Sequence, residues 1–223
     1  MPAHLRPTAP IAADAVLVGD PGRALMLAQE LLEEPKMSNH ARGLWGYSGR
    51  TPAGDALTIQ TTGIGGPSAA LVLADLAELG VRRVIRVGTC AGSEDCRLGE
   101  LLIASGAVAA GGSATSLGVA VGETVAPDAS LTERTLKALA GDARPATVAS
   151  VDGHPGERVP PAGIVATDMQ TAPLLAAARS LSIMAAAILI VAEITAGKET
   201  LQKEALESPE KRAGQAASTV LSA

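Results

Sequence analysis

The chain has 223 residues, of which 47% are apolar and 18% are charged; this composition excludes a disordered protein and suffices for one large α/β domain. Aromatic residues make up only 1%, with no Phe, one Trp and one Tyr, which argues against a protein that stacks single-stranded nucleic acid on aromatic rings. The formal net charge is −5 and no basic run exceeds a pair, so we expect neither nucleic acid nor an anionic membrane as a partner.

The cysteine content and the hydropathy of the chain bear on metal binding, membrane association and cellular location. Cys90 and Cys96 are too few for a disulfide scaffold or a zinc site, so no metal is expected. The first residues lack the apolar stretch of a signal peptide, and the longest apolar run, residues 183–192, is about half of a membrane span. We therefore predict a cytoplasmic protein without membrane association.

Strand-like and helix-like segments alternate along the chain. Short apolar runs bounded by turn residues predict strands at residues 15–18, 44–47, 56–62, 84–88, 101–109, 146–151, 164–166 and 185–191. Apolar residues at helical spacing predict helices after residue 20, from about 68 to 79, at 130–140, at 170–181 and from 208 onward, while 111–127 is predicted as loop with short strands. This alternation predicts a mostly parallel sheet with helices on both faces, in a single domain over residues 1–223.

Two segments carry features of an anion site. In Gly19-Asp20-Pro21-Gly22-Arg23 a strand runs through a glycine turn into a helix, which exposes N–H groups beside a cation; a capped turn with a solvated Arg23 is the alternative. Arg86 lies inside an apolar strand, where it needs an anionic partner, either a ligand at the end of the sheet or an internal Asp or Glu. Thr89 adds a hydroxyl at the end of that strand.

Other polar residues sit where predicted strands end. The glycine loop, residues 63–68, lacks the Gly-x-Gly-x-x-Gly spacing of a dinucleotide site because Ser68 stands at the last position. Asp168 and Gln170 lie at a strand-to-helix junction, suited to binding hydroxyl groups or to capping the helix. Glu193 ends an apolar strand, where partial burial would suit acid–base chemistry. The histidines form no metal or triad spacing.

The order of these segments resembles the nucleoside phosphorylase family that includes bacterial purine nucleoside phosphorylase and uridine phosphorylase. The resemblance covers about residues 4 to 221 and rests on the stretches 19–23, Arg42-Gly43 before 46–49, 62–68, 86–90 and 168–172. It implies a three-layer α/β/α sandwich with a mixed, mostly parallel, partly barrel-like central sheet. It also implies a homo-oligomer, a hexamer or a dimer, with active sites at subunit interfaces.

The resemblance implies residue roles as well. The phosphate-binding positions match Gly19, Arg23, Arg86 and Thr89, together with Arg42 lent by the neighbouring subunit. The ribose-binding positions match His4, Met169 and Gln170, with His4 reaching across the interface toward the ribose 5′-hydroxyl. Around the base lie Cys90, Ala91, Asp168 and His154. Glu193 falls at the catalytic acid of the purine enzymes, and Arg86 is expected to act with it.

The chemistry of phosphorolysis fits these roles. Three arginines and a helix N-terminus can orient a phosphate nucleophile beneath C1′ of the sugar, and the anion stabilises an oxocarbenium-like transition state. A carboxylic acid at Glu193 could protonate N7 of the leaving base. Inorganic phosphate is then a co-substrate, and no cofactor is expected.

Several positions depart from the family pattern. Gln170 stands where the family has Glu, Ala91 replaces a Gly, and Glu193 is one methylene longer than Asp. The loop 151–158 lacks the aromatic residues of the family's base pocket and the Gln-x-Arg pair of uridine phosphorylases. We expect a phosphorylase that prefers purine nucleosides; a uridine phosphorylase, a phosphate-independent nucleosidase and a weakly active nucleoside-binding homologue remain the alternatives.

Overall fold

The computed structural model describes residues 2–157, 160, 162–195 and 199–222. Its strands are β1 (Asp14–Val18), β2 (Glu33–Asn39), β3 (Gly46–Arg50), β4 (Ala56–Thr61), β5 (Arg83–Gly92), β6 (Leu101–Ala109), β7 (Thr124–Val125), β8 (Ala143–Ser150), β9 (Ala166–Asp168), β10 (Met184–Ile194) and β11 (Glu199–Thr200). Its helices are α1 (Pro21–Leu31), α2 (Gly65–Glu78), α3 (Gly112–Thr115), α4 (Ala129–Ala138), α5 (Thr171–Leu181) and α6 (Lys203–Leu221).

All of these strands join one mixed sheet that closes partly on itself. Its order is β11-β10-β6-β8-β9-β5-β1-β4-β3-β2, with β7 paired to β6. An additional parallel pairing of β10 with β5 closes the ring β5-β9-β8-β6-β10. The long strands β1, β4, β5 and β10 are linked in parallel, so their carboxyl ends meet at one edge. The predicted mixed, partly barrel-like sheet is confirmed.

Helices cover both faces of this sheet, because successive residues of its central strands point to opposite faces and are buried on both. In β10, Ala185, Ala187 and Leu189 pack into the core beneath α2 and α5. Ile188 and Ile190 face the opposite core, which is formed with α1, α4 and α6. Because β1, β6 and β10 consist mostly of Ala, Val, Leu and Ile, two apolar layers form without Phe. The three-layer arrangement is thus set by the two-residue periodicity of the strands.

Several elements differ from their sequence-based predictions: α3 is a short helix within residues 111–127, which were predicted as loop with short strands, and β11 was not predicted. The strand β2 was not predicted, because its sequence EEPKMSN is charged and contains Pro35; β2 pairs only with β3 at the end of the sheet, where such residues are tolerated. The helix α6 begins at Lys203 rather than at Ser208, because residues 203–207 are good helix formers. Pro209 therefore lies inside α6, where it lacks one backbone donor. No helix within the described ranges has both the length and the apolar character needed to cross a membrane.

Candidate active site

A cavity of about 670 Å³ opens where several strands end at the same edge of the sheet. Predicted site residues that line it are Gly19, Arg23, Arg42, Arg86, Thr89, His154, Met169 and Gln170. Predicted site residues absent from its lining are His4, Cys90, Ala91, Asp168 and Glu193. Because the carboxyl ends of β1, β4 and β5 meet at this edge, residues far apart in sequence converge here.

The first wall of the cavity is the turn between β1 and α1. Asp20 caps α1: its Oδ1 accepts a hydrogen bond from the Arg23 N–H at 2.8 Å, and Pro21 occupies the first turn. The Arg23 guanidinium is nearly buried, and its Nε and Nη2 both lie 2.7 Å from Glu210 Oε1 in α6. Glu210 thus fixes this guanidinium beside the cavity. Sequence reasoning missed Glu210, because 187 residues separate the two partners.

Arg86 points from β5 into the same space. Its side chain is 5% exposed; Nη1 donates to Gln170 Oε1 at 2.8 Å, and Nη2 donates to Asp168 Oδ2 at 3.0 Å. Its buried Nε has no hydrogen-bond partner among the residues that the structure describes. Arg86 therefore has the internal anionic partner that was one of its two interpretations, and it also lines the cavity.

Gly88 has no side chain, and this leaves room for the Arg86 guanidinium to lie over the strand. A Cβ built on Gly88 would lie 2.4 Å from Arg86 Cζ, well inside van der Waals contact. The guanidinium therefore folds directly over the strand backbone at Gly88. The sequence contains this signal, a glycine two residues after a buried arginine on the same strand face, but without the structure it reads as an ordinary strand end.

Asp168 lies beneath Arg86 and away from the cavity, which differs from its predicted contact with the base. The carboxylate is completely buried and accepts hydrogen bonds from Arg86, the Ser150 and Thr171 hydroxyls, and the Gln170 and Thr171 N–H groups. These internal donors occupy the carboxylate, so it acts as the counter-ion of Arg86.

Met169 and Gln170 follow β9 and close the cavity from the other side. Met169 is half-buried, and Gln170 is 3% exposed. The Gln170 side chain contacts the glycine loop as well as Arg86: its Nε2 donates to the carbonyls of Gly63 and Gly65. Thr61 also lines the cavity, and its buried hydroxyl has no partner among the described residues. Sequence reasoning missed Thr61, which reads as one more residue of an apolar strand.

His154 and Glu193 come together at the end expected to hold the base. His154 lines the cavity, and its Nε2 lies 3.9 Å from Glu193 Oε2. Its Nδ1 accepts a hydrogen bond from the Gly156 N–H at 3.2 Å. A Cβ on Gly156 would lie 1.8 Å from Glu193 Oε1, so this carboxylate packs directly against the loop backbone. Glu193 therefore stands behind His154 rather than on the cavity wall. Arg158, which a one-residue deletion would align with the arginine of the Gln-x-Arg pair of uridine phosphorylases, lies outside the described residues.

Cys90 and Ala91 are buried in β5 and do not reach the cavity. Cys90 Sγ lies 3.6 Å from the Ile190 carbonyl oxygen, and burial raises the pKa of its thiol. Ala91 pairs with Thr167 on one side and with Glu193 on the other. These two of the four side chains predicted to contact a base are thus enclosed by the strand ring.

His4 and Arg42, both expected to serve a neighbouring subunit, occupy different places. His4 Nδ1 lies 3.6 Å from Asp75 Oδ1 in α2, away from the cavity of its own chain. Burial alone would raise the pKa of Asp75, but the N–H groups of Ala3, His4 and Leu5 and the nearby His4 outweigh it and lower that pKa. Arg42 is exposed in a turn with φ of 58° and lines the cavity of its own chain.

Donors for a metal ion are not grouped in the described part of the chain. No three His, Cys, Asp or Glu side chains there lie together in an arrangement that could hold one. Three arginines line the cavity against one carboxylate, Asp20, whose Oδ1 accepts the Arg23 N–H; this excess of cations suits an anionic ligand.

Known proteins resemble this chain in sequence and in fold. The family model described as Phosphorylase superfamily matches residues 14–223. DeoD-type purine nucleoside phosphorylase from Limosilactobacillus reuteri is 32% identical over 213 residues, covering 87% of each chain. The same kind of enzyme from Oceanobacillus iheyensis is 40% identical over 99 residues, 44% of this chain and 42% of the relative, so that match spans less than half of the relative's length.

Solved structures share the fold at lower sequence identity. The crystal structure of uridine phosphorylase from Vibrio fischeri ES114 gives a TM-score of 0.82 with 22% identity. The superposition covers 95% of this chain and 92% of the other.

Proposed function

Since the chain belongs to the phosphorylase superfamily, we propose that it catalyses phosphorolysis of ribonucleosides to ribose 1-phosphate and a free base, with purine nucleosides preferred. One observation carries this proposal: a single cavity gathers Arg23, Arg86 and Arg42 next to Met169 and the N-terminal turn of α1. Cations beside a helix N-terminus suit phosphate, and the half-buried Met169 supplies apolar surface for a sugar.

The arginines can orient the nucleophile because internal carboxylates hold them. Glu210 fixes Arg23, and Asp168 fixes Arg86, so neither guanidinium needs to be ordered when phosphate enters. Phosphate held beneath C1′ attacks as the glycosidic bond breaks, and its negative charge stabilises the developing oxocarbenium character. Arg42 and the Thr61 hydroxyl, which no described residue contacts by a hydrogen bond, are further candidates for contacts to phosphate or sugar.

Protonation of the leaving base is assigned to Glu193 together with His154. A base that departs with negative charge needs a proton donor, and Glu193 is the predicted acid. Because His154 lines the cavity and lies 3.9 Å from the Glu193 carboxylate, the imidazole stands between that carboxylate and the cavity. We infer that Glu193 acts through His154 or moves past it when a nucleoside binds.

The direct test is incubation with inosine, guanosine, adenosine or uridine, each with and without phosphate. We expect phosphate-dependent base release with formation of ribose 1-phosphate, fastest for a purine nucleoside. Arg86→Lys keeps the charge but loses the planar fork and should lower this activity, whereas Arg82→Gln changes an exposed arginine and serves as the matched control.

Each other outcome corresponds to a different function. Absence of base release in phosphate would reject phosphorolysis, and tight nucleoside binding without turnover would identify a binding homologue. Base release at equal rates without phosphate would identify a nucleosidase, and exclusive turnover of uridine would identify a uridine phosphorylase.

The assembly, location and domain organisation remain predictions. We propose a homo-oligomer, a hexamer or a dimer, in which His4 and Arg42 lie at subunit interfaces. Light scattering after size exclusion measures the assembly, and loss of activity on dilution would indicate that the site needs a neighbour. The cytoplasmic location and the single domain over residues 1–223 are retained as expectations.

A further inference from the structure

The side-chain amide of Gln170 is occupied on both of its ends. Its Nε2 donates to the Gly63 carbonyl at 2.7 Å and to the Gly65 carbonyl at 3.1 Å. Its Oε1 accepts from Arg86 Nη1 at 2.8 Å and lies 3.2 Å from the Thr62 hydroxyl. A primary amide has two N–H hydrogens and two acceptor lone pairs, so these contacts use both hydrogens and one lone pair. The single hydrogen of the Thr62 hydroxyl is shared between Gln170 Oε1 and the Val18 carbonyl oxygen at 3.0 Å.

An amide whose two hydrogens go to backbone carbonyls and whose oxygen already accepts from a guanidinium is poorly suited to bind ribose. A sugar hydroxyl that approached Gln170 would have to displace the glycine loop from Nε2, or Arg86 or Thr62 from Oε1. Displacing the loop or Arg86 gives up a hydrogen bond at a side chain only 3% exposed, where an unmade bond is costly. The contacts of the Gln170 amide therefore hold the glycine loop and Arg86 in place.

We propose that Gln170 is a positioning residue: its amide fastens the glycine loop (residues 63–68) to Arg86, and it does not itself bind the ribose hydroxyls. This inference rests on the proposed function for its kinetic consequences. The amide bridges two walls of the cavity that come from β4 and β5, and a Cβ on Gly19 would lie 3.5 Å from the Gly63 carbonyl oxygen. Gln170 thus sets the width of the space between the loop and the cation.

The chemistry of the amide explains why glutamine fits here and glutamate does not. A carboxylate at residue 170 in the same place would put one oxygen near the carbonyl oxygens of both Gly63 and Gly65, with no hydrogen to share. Arg86 also already has the Asp168 carboxylate as its counter-ion, so a second negative charge is not needed to balance it. Gln170→Glu is therefore expected to release the glycine loop, although it restores the residue type that the family resemblance implies.

The test pairs residue changes with sugar changes. Phosphorolysis of inosine, 2′-deoxyinosine and 3′-deoxyinosine is measured for wild type, Gln170→Ala, Gln170→Met and Gln170→Glu; Met keeps the length of the side chain in case Ala disturbs folding. Gln29→Ala and Gln29→Glu, on the exposed side of α1, are the matched controls. If uridine is the better substrate, uridine and its deoxy analogues replace the inosine series.

A fastening role predicts a common loss for all three sugars. In Gln170→Ala and Gln170→Met the KM for phosphate should rise about tenfold, equivalent to 1.4 kcal/mol, because Arg86 loses a partner. The ratio of kcat/KM between inosine and each deoxy analogue should change by less than about twofold. If Gln170 does not contact a sugar hydroxyl, removing the amide has the same effect whether or not that hydroxyl is present. A fall of about fivefold or more in either ratio would overturn the proposal and make Gln170 a ribose ligand.

Amide hydrogen exchange gives a second readout that does not depend on turnover. Exchange in residues 63–68 should be faster in Gln170→Ala, Gln170→Met and Gln170→Glu than in wild type, and unchanged in both Gln29 variants. If exchange in the glycine loop is unchanged in the Gln170 variants, the fastening role is wrong. If no nucleoside is turned over, the proposed function fails, and loop exchange alone then decides the role of Gln170.

Discussion

Substitution of Gly88 by Ala tests whether the course of Arg86 over the strand determines phosphate use. The new methyl group would lie 2.4 Å from Arg86 Cζ, whereas carbon atoms in contact prefer about 3.5–4.0 Å, so the guanidinium must move by about 1 Å. Gly88 does not have a positive φ, so the strand backbone accepts Ala without strain. The perturbation therefore falls on one side chain, and the fold should persist.

The cost follows from what holds the guanidinium. Its hydrogen bonds to Asp168 at 3.0 Å and to Gln170 at 2.8 Å would lengthen to about 4 Å, beyond hydrogen-bonding range. A displacement of about 1 Å in a group that orients a reactant can cost about 100-fold in rate. We expect kcat/KM for phosphate to fall by about that factor, with a smaller change in the KM for nucleoside.

Steady-state phosphorolysis at varied phosphate measures this effect, and phosphate titration by calorimetry checks binding separately. Gly112→Ala is the matched control, because a Cβ there meets its nearest neighbour, Asp152 Oδ2, at an ordinary 3.5 Å and the φ is not positive. A Gly88→Ala protein whose KM and kcat/KM for phosphate stay within twofold of wild type would refute the reasoning.

Three further predictions concern buried polar groups. Glu210→Gln should leave Arg23 without its counter-ion and lower the unfolding free energy by about 2 kcal/mol. The melting temperature should fall, and added phosphate should partly restore it. An unchanged melting temperature would contradict a stabilising role for the buried Arg23–Glu210 pair. The lowered pKa of Asp75 means that its carboxylate stabilises the fold above the unfolded pKa of about 4, and that this contribution is lost as the pH falls through the lower folded pKa. The difference in unfolding free energy between wild type and Asp75→Asn, measured in urea, should therefore be smaller at about pH 3 than at neutral pH. A difference that does not change with pH would argue against this contribution. Because burial raises the pKa of Cys90, its thiol should resist iodoacetamide at about pH 8 until the chain is denatured; labelling of Cys90 in the folded protein, mapped by mass spectrometry, would disprove the enclosure.

Local signals in the sequence predicted the parts of the site that local structure makes. The Asp20 cap and Pro21 predict the start of α1, and the helix begins at Pro21. Likewise the apolar residues before Gly19 and around Arg86 predict β1 and β5, because each segment carries its own period and its own turn residues.

Pairings across long sequence separations could not be predicted in this way. The Arg86–Asp168 pair spans 82 residues and depends on β9 meeting β5, which no local pattern specifies. The partner of Arg23 was missed because Glu210 reads as an early acid of the last helix, where it has a sufficient local explanation. The contacts of Gln170 show a further limit. They are made to backbone carbonyl oxygens of a distant loop, and because every residue has such an oxygen, the sequence does not show which ones are contacted.

The closed ring of β5, β9, β8, β6 and β10 divides the site into a fixed part and an adjustable part. Arg86, Asp168 and Glu193 stand on strands of this ring, whose ladders are hydrogen-bonded on both sides. The glycine loop, the turn that carries Arg42 and the segment around His154 lie outside the ring strands. Changes that accommodate a sugar or base of different shape are therefore expected in those three segments. Specificity can vary there while Arg86 keeps its position on β5.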